Sequence, residues 1–149
     1  MNEDARRPLF LLSLLVALTG CATANVVPGS SGGAQAARVT GSVTYRERIA
    51  LPPTAVIKVR LVDVSRADAP SELLAEEAIV AAGRQVPFAF ELAYEPAAIR
   101  AAHTYAVQVR IEEDGRLLFI SDTRHPVITR DHPSHVDIVV RRVAAPAQP

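Results

Sequence analysis

From Val39 onward, apolar and polar residues alternate with period two in short runs. Val39, Gly41, Val43 and Tyr45 alternate with Thr40, Ser42 and Thr44. That spacing puts one set of side chains on one face of a strand. Leu51-Pro52-Pro53 stops the run, because proline cannot donate to a sheet ladder. Val56 to Val64 predicts a second strand, with Ile57, Val59 and Leu61 facing one way and Lys58 and Arg60 the other. Ser65 to Ser71 is a loop. Glu72 to Ala82 is ambiguous: Leu73 to Ala78 are good helix formers, yet the β spacing on both sides favours a strand, and strand is the reading taken. Gln85 to Leu92 gives the cleanest alternation, with Val86, Phe88, Phe90 and Leu92 on one face. Its two phenylalanines are expected core anchors, and Pro87 marks an edge or a bulge.

Tyr94 to Ile99 reads as a connector with room for one helical turn. Thr104 to Glu112 and Leu117 to Ser121 read as a hairpin closed by Asp114-Gly115, a tight-turn pair. Thr123 to Pro133 reads as loop with a brief extended piece at Val127-Ile128-Thr129. His135 to Val143 closes the set, with Val136, Ile138 and Val140 on one face. About seven strands, each with one buried face, predict an all-β fold: a small antiparallel β-sandwich, immunoglobulin-like or transthyretin-like. No Cys…Trp…Cys pattern marks a true immunoglobulin domain.

The chain ahead of these strands has a different pattern. Arg6 and Arg7 precede a nearly continuous apolar run from Leu9 to Leu18. The run is too short to span a bilayer, which takes ~20 apolar residues, and has the layout of a secretory signal. Leu18-Thr19-Gly20-Cys21 resembles the lipobox of bacterial lipoproteins, in which the cysteine sulfur takes a diacylglyceryl group and the peptide is cut before it. Leu18 suits an apolar peptidase pocket, Gly20 a close backbone approach, and Cys21 supplies the nucleophilic thiolate. Cys21 is the single cysteine of the chain. Glu3 and Asp4 weaken the positive start of the segment. Ala22 follows the cysteine where an aspartate usually retains a lipoprotein in the inner membrane, so the resemblance implies outer-membrane sorting.

Residues 1–20 are thus expected to be a signal peptide and residues 21–37 a tether, rich in Gly and Ser at Pro28 to Gly33. About 16 tether residues reach roughly 20–24 Å on average. Residues 38–143 form the domain and 144–149 a disordered tail. Removing 20 of the 149 residues leaves enough chain for one domain with its own core. The formal net charge is zero, which gives no basic footprint for nucleic acid. With its cysteine modified the mature chain has no disulfide, so its stability comes from burial.

Candidate chemistry is sparse. His125, His132 and His135, with Asp131, fall close together in sequence, but Pro126 and Pro133 break the stretch and no helical spacing supports a metal site. Ser121-Asp122 and Ser134-His135 pair suitable residue types, but adjacency is not a triad and no G-x-S-x-G elbow is present. Glu112, Glu113 and Asp114 read as a solvated hairpin tip rather than a calcium site, and Arg46-Glu47-Arg48 as a solvated strand edge rather than a recognition patch. No catalytic, cofactor or metal residues are assigned, and no enzyme activity is expected. The covalent acyl lipid on Cys21 is the one prosthetic group expected.

Taken in order, Val39 to Pro53, Leu61 to Ser65, Val86 to Tyr94, Tyr105 to Ile111 and Asp114 to Thr123 resemble the YbaY family of lipoproteins, grouped with the YscW-type lipoprotein chaperones of type III secretion. The resemblance covers roughly Ala37 to Val143. It implies an outer-membrane lipoprotein whose β-sandwich faces the periplasm. YscW-type members act as pilotins, which bind a secretin subunit and help it reach the outer membrane. The family supplies no catalytic residue, and only the lipidated Cys21 carries over. Family members tend to have an aromatic where this chain has His125.

The function expected is therefore a lipid-anchored, non-catalytic envelope protein acting through protein contacts at an exposed sheet edge or a loop end, the edges being suited to strand addition. Its expected partners are the membrane, through the anchor, and an envelope protein, with no nucleic acid. Two alternatives stand beside it: a pilotin for a type III secretion secretin, and a periplasmic module binding a small molecule, glycan or metal. Alternative locations are the outer leaflet of the inner membrane and the soluble periplasm.

Overall fold

The computed structural model describes residues 36–144, so the signal segment, most of the tether and the last five residues lie outside the described part. Nine strands follow in order: β1 (Ala37–Thr44), β2 (Val56–Asp63), β3 (Glu72–Val80), β4 (Phe88–Tyr94), β5 (Tyr105–Glu113), β6 (Arg116–Ile120), β7 (His125–Val127), β8 (His135–Val139) and β9 (Arg141–Arg142). A single 3-10 turn at Pro96–Ala98 occupies the connector before β5. Strands β4-β1-β8 form one sheet. Strands β3-β2-β5-β6-β9 form the other, with β7 also paired to β5. The all-β sandwich expected from alternation is the fold found.

The alternation places the core. Val39 and Val43 of β1, Ile57, Val59 and Leu61 of β2, and Val107, Val109 and Ile111 of β5 are fully buried. Phe88, Phe90 and Leu92 of β4 share the sheet of Val39 and Val43 and join them in one core with the β2 and β5 residues of the other sheet. Each such side chain contributes about 1.5–3 kcal/mol when fully removed from water. The ambiguous segment is strand: β3 pairs along its whole length with β2, around a bulge opposite Leu61 and Val62. Tertiary pairing overrides its helix propensity. The β5–β6 turn has φ of 48° at Asp114 and 78° at Gly115; positive values at both central residues match the right-handed twist of a hairpin.

Three features differ from the sequence expectation. The strands number nine rather than about seven, because β7 and β9 are too short to carry a period. One pair, β1 with β8, is parallel, so the sandwich is not wholly antiparallel. The run from His135 to Val143 is not one strand. Val140 donates its N–H to the Thr44 carbonyl at 2.8 Å, and the next two residues pair with β6 in the other sheet. The chain therefore crosses between sheets at the buried Val140 and closes one long side of the sandwich. In addition, β4 begins at Phe88 rather than Gln85. The Gln85 side chain instead accepts from the Tyr45 hydroxyl and the Leu51 N–H, each at 3.2 Å, and so ties the loops at that end.

Candidate functional site

The lipobox residues Leu18, Thr19, Gly20 and Cys21 lie outside the described residues. The remaining candidates are placed, and the structure disperses most of them. His125 lies in β7, with Nε2 3.1 Å from the Thr123 hydroxyl. Burial pushes its pKa below the ordinary histidine value, against a weaker upward pull from Asp122. His135 lies in β8 and His132 in the loop between them. Among the described residues, no three His, Cys, Asp or Glu side chains come together as a metal site.

Ser121 serves the sheet. It accepts the Val109 N–H on its hydroxyl at 3.0 Å and donates its own N–H to the Val109 carbonyl at 2.9 Å. Asp122 accepts from Arg141 at 2.6 Å. Glu112 takes the Lys58 ammonium at 2.8 Å and Arg110 at 3.4 Å. The hydrogen bond from Lys58 is the largest of the effects holding its carboxyl below the usual value. Glu113 instead faces Thr54 and Arg116. The acidic tip is thus divided among cations rather than gathered on one point. Glu47 accepts the Arg142 N–H at 3.4 Å and, with Arg46, lines an open groove shared with Asp137 and Arg141.

One chain of reactive residue types does form. On the outer face of the smaller sheet the Thr40 hydroxyl lies 3.1 Å from His135 Nδ1. His135 Nε2 lies 3.7 Å from Asp137, which accepts the Ser42 hydroxyl at 2.7 Å. His135 and Asp137 are 63% and 68% exposed. Nucleophilic catalysis needs oxyanion donors and exclusion of water, and a solvent-facing sheet supplies neither.

Sequence reading missed two clusters. At the end of β2, Asp63 accepts from the Ser65 N–H at 2.9 Å, the Ser65 hydroxyl and the His103 ring. Ser65 Oγ in turn accepts the Thr104 N–H at 2.8 Å. Burial opposes ionisation of Asp63, but these hydrogen bonds outweigh it and hold the carboxyl below its usual value. His103 and Asp63 are forty residues apart, and no local pattern joins them.

The second cluster is the loop after β7. Thr129 donates its N–H to the Val127 carbonyl at 2.8 Å across Ile128, whose φ is 73°. This is a γ-turn centred on a β-branched residue in the left-handed region, a rare and strained arrangement. His132 then donates to the Thr129 carbonyl at 3.3 Å across Arg130 and Asp131, with φ of 58° and 65°. The Thr129 hydroxyl and the Arg130 guanidinium fasten the loop to the carbonyls of His103 and Ala102. Ile128 faces an open groove with Tyr94, Pro96 and Ile99. Strain of this kind persists only where the surroundings over-determine it, and it clusters at functional sites.

The two long sides of the sandwich differ. The β8–β9 side is bridged by the crossing chain. On the other side, edge strands β3 and β4 lie next to each other, joined by the Glu77 carboxylate of β3, which accepts the Glu91 N–H of β4 at 2.7 Å. Leu73 and Val80 of β3 are 46% and 51% exposed.

A family model for the type III secretion system lipoprotein chaperone (YscW) matches residues 34–140. The chain belongs to that family. A model of the prokaryotic membrane lipoprotein lipid attachment site matches residues 6–22. The uncharacterized lipoprotein YbaY of Escherichia coli strain K12 is 42% identical over 96 residues, which are 64% of this chain and 50% of that one. The chain thus matches about half the length of that curated relative. A solved structure of an alternative pilotin from the type II secretion system of Vibrio cholerae aligns with a TM-score of 0.72 and 47% identity. The alignment covers 74% of this chain and all of that one. Among the described residues, no helix is long and apolar enough to cross a membrane.

Proposed function

We propose that the chain is a lipoprotein of the outer membrane, cut before Cys21, acylated on its sulfur, and tethered through residues 21–37 to a non-catalytic β-sandwich of residues 38–143 in the periplasm. Leu18, Thr19 and Gly20 direct the processing. The domain works by contact with an envelope protein. The supporting observation is a lipid-attachment match at residues 6–22 directly ahead of a domain 47% identical to a pilotin. Two or three acyl chains make such an anchor effectively permanent, whereas one chain holds only marginally. Affinity isolation of the acylated protein from solubilised envelopes tests the contact. A discrete partner recovered repeatedly supports the reading, and nothing above background in repeated trials contradicts it.

A narrower reading makes the chain a pilotin that carries a secretin subunit to the outer membrane. The identity to a pilotin across that protein's whole length favours it. In cells lacking the chain, this reading expects secretin multimers to be lost from the outer membrane. Native protein should restore them and Cys21→Ser should not. Normal multimers without the chain would end the pilotin reading and leave the broader one standing.

A further inference from the structure

We propose that the outer edge of β3 is the contact surface, and that it takes an extended segment of another protein that carries, on one face at spacing two, two apolar residues and a basic one. This deepens the contact function proposed above and rests on it. The backbone supplies the first reason. Ala81 donates its N–H to the Ala55 carbonyl at 2.8 Å. In an antiparallel ladder the bonded residues alternate, so Ile79 and Glu77 turn their backbone groups to β2, while Val80, Ala78 and Glu76 aim theirs outward. The Arg84 guanidinium donates to the Val80 carbonyl at 3.0 Å, which confirms the direction.

The neighbouring edge, on the seven-residue β4, is interrupted at its centre. Thr40 donates its N–H to Ser134 on the β8 side. Its register partner Glu91 therefore faces away from β1, and Glu77 takes that N–H. Of the remaining edges, β8 has five residues and β9 two, and short edges resist addition. The nine-residue β3 stays open over Glu76 to Ala78, with exposed Leu73 and Val80 on either side.

Charge selects the occupant. Glu72, Glu76, Glu77 and Glu91 line this margin, against Arg60 on Glu76 at 2.7 Å, Arg38 on Glu91 at 3.1 Å and, at the far end, Arg84 on the Val80 carbonyl, so the acidic excess lies over Glu72 to Glu77. A second copy of β3 pairing antiparallel near its centre would set Glu76 or Glu77 against another glutamate, and like charges directly opposite destabilise a sheet. A lysine or arginine opposite Glu76 would instead extend the Arg60–Glu76 row. The small Ala78 leaves space for a bulky apolar neighbour, and Val80 offers an apolar one.

The test titrates a fluorescent short peptide, blocked at both ends and with Val-Thr-Val-Thr-Lys at its centre, into the acylated protein in neutral detergent. As an added antiparallel strand it sets valines opposite Val80 and Ala78 and lysine opposite Glu76. Saturable binding is expected. It should weaken at least tenfold for Glu76→Lys, for Ala78→Pro, and for a peptide with glutamate in place of lysine. Proline at 78 removes only an outward N–H, so the pairing with β2 survives. Should that variant fail to fold, Glu76→Lys with an unchanged melting temperature carries the comparison. Equal binding by the folded variants, or no binding by the native protein, overturns the β3 assignment. The contact function itself is judged separately by the envelope isolation.

Discussion

Gly41 shows how one missing side chain sets the packing of the smaller sheet. It lies in the buried row of β1 between Val39 and Val43, paired with Phe90 of β4 and Val136 of β8. A Cβ here would sit 1.8 Å from the Val136 carbonyl oxygen and 2.8 Å from the Phe90 ring. One of these is backbone, so β8 itself must shift. Gly41→Ala is therefore expected to destabilise the domain by about 1–3 kcal/mol, the range for overpacking, measured by urea unfolding. His125 offers a second residue-scale prediction. Burial lowers its folded pKa, so the unfolded chain binds the proton more readily. The stability this histidine contributes is intact above its unfolded value of about 6.5 and is lost as pH falls towards the folded value. Melting temperatures taken from pH 7.5 to 5 should fall for the native domain and fall less for His125→Phe. Equal slopes would contradict the assignment.

At the scale of elements, long strands were legible from the chain and short or crossing ones were not. Period two over Val56 to Val64 and Thr104 to Glu112 leaves little choice, and Asp114-Gly115 names its own turn. β7 and β9 have three and two residues, too few for any period. The switch at Val140 leaves no trace in a run that alternates without a break. Pairing direction is also invisible locally, so the parallel β1–β8 pair could not be read. Contacts between distant elements fail for the same reason. Asp63, at the end of β2, is held by Ser65 and by His103 just ahead of β5. Asp63→Asn removes the charged acceptor from all of these and is expected to cost about 1–3 kcal/mol. Asp63 is depressed in the folded state, so its contribution is present above about pH 3.9 and disappears as pH falls through the folded value. The variant should therefore show a shallower loss of stability in acid. An unchanged acid limb would show that Asp63 is not one of the groups responsible.

For the whole molecule, the sequence carried its location more clearly than its activity. An apolar run ending in Leu18-Thr19-Gly20-Cys21 has a chemistry that can be read without a fold. The domain's surface cannot, because its open edge exists only once β3 and β4 are side by side. Of the histidines and carboxylates that looked suggestive in the chain, His125, His135, Glu112 and Glu113 make sheet and loop contacts, and the exposed features that stand out are an acidic edge and a strained groove. Both suit contact with another protein by a domain held at a membrane. That holding is the central claim, and labelling with radioactive palmitate, followed by cell fractionation with and without globomycin, tests it most directly. The account predicts that native protein is labelled and membrane-bound, that globomycin accumulates the uncut precursor, and that Cys21→Ser is unlabelled. Native protein recovered as a cleaved, unlabelled, soluble periplasmic species would contradict it.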